Sequence, residues 1–183
     1  SLYTGHQLTD LDFVELVDFE AISEGHGLPT TEAERLLEDA GIPAEIRTDV
    51  SVEELDQLLQ DGYGVTIAID SGEVWGQDTV DGDQESDHMV MVTEIDLEHG
   101  IVRLNDSGSP DGRSETMSLE LFLDAWADSN NQAVICDVSL DEYWAEHGVP
   151  EAAEDIVVDD ALGAAVRSPW ALLPITVQQS DLS

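Results

Sequence analysis

The chain contains no lysine. Its five basic residues are all arginines, Arg35, Arg47, Arg103, Arg113 and Arg167, and they face 42 acidic residues for a formal net charge of -37 at pH 7. Binding to nucleic acid is therefore not expected, because phosphate contacts need clustered Lys and Arg, and an anionic membrane surface is disfavoured for the same reason. One cysteine, Cys136, excludes an intramolecular disulfide and any multi-cysteine zinc site. No apolar run approaches the roughly 20 residues of a membrane span and no secretory leader is visible, so a soluble, cytoplasmic protein is the expectation.

What is present is enough for a core: 183 residues, of which 42% are hydrophobic. The acids are interleaved with apolar residues at helical and strand spacing, so they read as solvated outer faces of a folded chain. A surface of this charge is tolerated where salt screens it, since the Debye length falls to about 3 Å at 1 M. A salt-loving source is the expectation that follows.

Periodicity predicts a helix from Thr9 to about Ile22, and a second that starts at Thr30 or Thr31 and stops at Gly41. "AEIRTD" reads as a short strand. "SVEELDQLLQDGY" reads as a third helix, with Ser51 as N-cap, Glu54 at the capping-box position and Gly62 past its end. The β-branched run "GVTIAID" predicts a buried strand, and Ser71 to Asp87 reads as a Gly- and Asp-rich loop.

"DHMVMVTEIDLEHGIVRLND" then predicts a hairpin turning near Glu98. A loop, a fourth helix "SLELFLDAWAD" capped by Ser118 and a last strand "QAVICDV" complete a compact unit over residues 1–139. Residues 140–183 read as an acidic extension with a short helix of its own. Helices gathered early and strands joined as hairpins indicate α+β, with N-terminal helices packed on an antiparallel sheet.

Counting back from the turn places His88 and Asp106 at the same open end of the hairpin, a few residues apart along the ladder. A histidine held by a carboxylate is two-thirds of a nucleophilic triad: the carboxylate fixes the tautomer and stabilises the imidazolium that forms when the nucleophile loses its proton. The bland alternatives are a surface histidine beside Asp87 or Glu85, and an Asp106 that caps its own turn.

The acidic loop "DTVDGDQESDH" lacks the spacing of an EF-hand. His6, His26, His99 and His147 show no i, i+4 pairing, so no metal or cofactor is expected. Trp75 either lines a cleft beside His88 or pins its loop.

The blocks "GVTIAIDSGEVWG", "DHMVMVTEID", "VRLNDSGSPDGR" and "LELFLDAWADSNNQAVI", with "LYTG" and "LLEDAGIPAEIR" upstream, resemble the stand-alone peptidase C39-like domains of the papain-like fold. The resemblance runs from about Leu2 to Asp137. It implies a papain-like cysteine-peptidase fold, a peptide or protein substrate, His88 as the histidine of the D-H-x-V-x-V block and Asp106 as its orienting carboxylate. Glu94 departs from the glycine usual in that block.

In such domains the cysteine opens a helix ahead of the "TG" stretch, with a glutamine a few residues earlier, so the nucleophile is expected upstream of Ser1. Cys136, in an interior strand, is expected to be a buried hydrophobe rather than a substitute. Two alternatives stand beside the peptidase: a pseudo-peptidase that binds peptides or regulates, and a carboxylate-rich protein whose partners are cations.

Overall fold

A computed structural model describes residues 29–75, 86–106 and 114–149. The helix expected at Thr9 to Ile22, His6 and His26, most of the acidic loop and residues 150–183 lie outside the described residues.

Helix α1 (Thr30–Asp39) ends at Ala40 and is followed by Gly41 at φ 79°, a left-handed position suited to glycine, before strand β1 (Ala44–Arg47). Helix α2 (Val52–Gln60) begins at Ser51, whose hydroxyl accepts from the Glu54 backbone N–H at 3.2 Å. Only half of the expected capping box forms, because the Glu54 carboxylate pairs with Arg47. Leu55 and Leu59 form the buried stripe of α2.

Strand β2 (Tyr63–Ile69) runs into a five-residue helix, α3 (Ser71–Trp75), so the opening of the stretch expected to be loop is helical. Asp70 accounts for the turn: its Oδ1 accepts from the N–H groups of Gly72 (2.8 Å) and Glu73 (3.3 Å). Strands β3 (His88–Asp96) and β4 (Ile101–Asn105) form the expected hairpin. A short strand that the sequence reading placed in loop and helix start, β5 (Glu115–Ser118), pairs with β4.

Helix α4 (Leu119–Ala127) is capped by Ser118 and buries Phe122, Ala125 and Trp126. Strand β6 (Ala133–Ser139) leads into helix α5 (Leu140–His147), which opens with a full Ser139/Glu142 capping box. Leu140 and Tyr143 of α5 join the core, so packing continues past Ser139. His147 stacks on Tyr143 at 4.2 Å and bonds its carbonyl, while His99 pairs with Asp96 in the hairpin turn.

The six strands form one antiparallel sheet in the order β1-β6-β2-β3-β4-β5, and the fold mixes helices with that sheet. Alternation assigns the faces. Val65, Ile67 and Ile69 pair with Val92, Val90 and His88 on one side, and Val65 and Ile67 pair with Ile135 and Ala133 on the other. These residues therefore share one face, and they are buried in one cluster with Leu55, Leu59, Phe122 and Trp126, His88 excepted. Val134 and Cys136, paired with Ile46 and Ala44, point to the opposite face. Among the described residues, no helix is long and apolar enough to cross a membrane.

Candidate functional site

The β3–β4 register decides whether His88 and Asp106 can meet. Near the turn, Asp96, Ile95 and Glu94 pair with Ile101, Val102 and Arg103; beyond a shift, Val92 pairs with Leu104 and Met91 with Asn105. Thr93 is the extra residue of this bulge.

Without the shift, Asp106 would fall opposite Met91, on the face away from His88. With it, the next step of the ladder sets Asp106 opposite Val90, one pleat in from His88 and on the same face. The pattern of burial agrees: Val90 and Val92 are buried before the bulge and Ile95 after it, and Glu94 turns outward to Arg103 at 3.0 Å. The glutamate that replaces the resembled family's usual glycine thus sits on the bulged strand with an ion-pair partner and leaves His88 and Asp106 undisturbed.

The result is a contact of 2.7 Å between His88 Nε2 and Asp106 Oδ1. An ionised carboxylate only accepts, so in this contact Nε2 is the donating nitrogen and the ring is the Nε2–H tautomer. The Asp106 side chain is 1% exposed and that of His88 19%, so the carboxylate is withdrawn beneath the ring and the ring edge reaches solvent.

Both residues are fixed by their flanks. Asp87 donates its N–H to Ile69 O (3.1 Å) and accepts at Oδ1 from Ser71 N–H (2.9 Å), which anchors the start of β3 to the β2–α3 turn. Its carboxylate is thereby committed to the backbone, while Asp106 takes the His88 ring. Asn105 Oδ1 accepts from Ser114 N–H at 2.9 Å.

Cys136 lies elsewhere. It is 5% exposed, on the opposite face of the sheet, and in β6. From the row of His88 it is displaced by two strand spacings and about five residues along the strand, which amounts to about 19 Å. Trp75 ends α3.

The sequence reading missed a second group of polar residues. Carboxylate oxygens of Asp70, Glu73 and Asp128 lie within 4.8 Å of one another, where the β2–α3 turn meets the C-terminal end of α4. Asp70 and Glu73 stand three apart in sequence, but Asp128 arrives from another helix and no local spacing signals it.

No family model matches the chain. Uncharacterized proteins of Mycobacterium tuberculosis and Mycobacterium bovis are 34% identical over 132 residues, covering 65% of this chain and 57% of their own length. The chain thus spans little more than half of these relatives, and their mycobacterial sources give no support to the expectation of a salt-loving origin. Among solved structures, a candidate C39-like peptidase from Bacillus anthracis aligns over 59% of this chain and 58% of its own, at 19% identity and a TM-score of 0.46.

Proposed function

We propose that this chain carries the base-and-orienter half of a papain-like, C39-like cysteine peptidase. The observation that carries the reading is the 2.7 Å contact between His88 Nε2 and a buried Asp106, with both residues on one face at the open end of a strand pair. In this reading Nδ1 of His88 takes the proton of a cysteine thiol. The thiolate attacks the scissile carbonyl of a peptide, and the imidazolium returns the proton to the leaving amine. Water, deprotonated by the same nitrogen, then releases the acyl group and regenerates the thiol. Asp106 holds the ring and stabilises its charged form throughout.

Cys136 does not serve as that thiol, because the sheet separates it from His88. The reading therefore requires a different cysteine, delivered to Nδ1 from outside residues 1–183. The same His88–Asp106 arrangement also fits a second reading, a pseudo-peptidase that binds peptides at this strand end.

The test is alkylation of the gene's full-length product with limiting iodoacetamide, followed by peptide mapping. A cysteine other than Cys136 should be modified first, and His88→Ala should slow that reaction by about 10²-fold or more. If Cys136 is the only cysteine of the product, hydrolysis by this route is ruled out and the binding module remains.

A further inference from the structure

We infer that Asp70, Glu73 and Asp128 form a binding site for a hard divalent cation, calcium in the first instance. This goes beyond the peptidase reading and does not depend on it. Three carboxylates converge here, with one oxygen from each inside a span of 4.8 Å. Two oxygens on opposite sides of one calcium ion lie about 4.6–5.2 Å apart, so the group has the size of a single coordination sphere.

Convergence of acids in so acidic a chain would mean little by itself. The independent observation is Asp70. Its residue is 2% exposed, its Oδ1 is occupied by the N–H groups of Gly72 and Glu73, and its Oδ2 is buried with no hydrogen-bond partner. A buried carboxylate oxygen without a donor is unfavourable, and it becomes more so beside two further carboxylates.

The C-terminal end of α4, where Asp128 is the cap residue, adds the negative end of a helix dipole. Hard oxygen donors with no sulfur or imidazole among them select calcium or magnesium over transition metals. Calcium tolerates irregular oxygen sets, whereas magnesium demands a near-ideal octahedron.

The position gives the ion a structural task. Asp70 follows Ile69, the residue paired with His88, and its N–H is bonded to Ala125 O at 3.0 Å. A cation here would staple the β2–α3 turn to the end of α4, immediately behind the strand end that presents His88.

The test is calorimetric titration of the full chain, stripped with EDTA, with calcium chloride and separately with magnesium chloride at constant ionic strength. One saturable calcium site should stand above the diffuse background. Asp70→Asn, which preserves the N–H acceptor, should weaken it by at least about tenfold, and so should Asp128→Asn, whereas Glu53→Gln on the exposed face of α2 should leave it unchanged. The inference is overturned if no saturable site is found, if binding survives in both Asp70→Asn and Asp128→Asn, or if Glu53→Gln weakens it equally. Tighter binding of magnesium than calcium overturns the choice of ion.

Discussion

His88, the imidazole held by a buried carboxylate, and Cys136, the one thiol of the sequence, are treated in opposite ways by the sheet. His88 opens β3 at a strand end, keeps a solvent-reaching edge and rests on a buried carboxylate. Cys136 sits within β6, paired with Ala44 of the edge strand, and is 5% exposed on the other face. The difference shows how parity along a strand and distance from its end decide whether a reactive group is presented or put away.

The largest expected effect in testing this contrast comes from the carboxylate. Asp106→Ala should lower stability in urea denaturation by about 1.5–3 kcal/mol, the scale of a hydrogen bond involving a charged group, and should abolish the Nε2–H tautomer preference of His88 in NMR spectra of the ring. A stability equal to that of the parent would mean that the pair does not hold this end of the sheet.

Cys136→Ala should cost less, about 1 kcal/mol, the scale of one buried methylene. In the parent, reaction of Cys136 with an aromatic disulfide reagent should rise only through the unfolding transition. Fast reaction in the native protein would break the contrast. The smallest effect belongs to Thr93, the buried bulge residue whose hydroxyl has no partner. Thr93→Val should be neutral or stabilising by up to about 1 kcal/mol, with the His88–Asp106 contact retained.

Much of the fold was legible because its signals are local. Ser51 and Ser118 each cap a helix through a backbone N–H three residues on, and the β-branched run of β2 is a buried strand in the middle of the sheet. The nearness of His88 and Asp106 at one end of the hairpin was also legible, although counting along the ladder did not place the bulge that brings them into contact. The signal was present as a phase slip: apolar residues at Val90 and Val92 are followed by Ile95 rather than by residue 94, and a strand that buries all three must gain one residue between them.

The helix α3 was missed because its stabilising partner, Asp70, read as the end of a strand rather than as a cap. Strand β5 was missed because "ETMS" has no strong alternation of its own and depends on β4 for its hydrogen bonds. For α5, the sequence showed a short helix but not that Leu140 and Tyr143 would be buried.

The sequence by itself determined the acidic, lysine-free composition, the helix caps at Ser51 and Ser118, the hairpin and the candidacy of His88 and Asp106, since each rests on composition or on residues close along the chain. Tertiary structure decided which face each side chain occupies, the separation of Cys136 from His88, and the meeting of Asp128 with Asp70 and Glu73. Those depend on strand register and on one helix end reaching another turn, and residues 48 or more positions apart carry no local record of either.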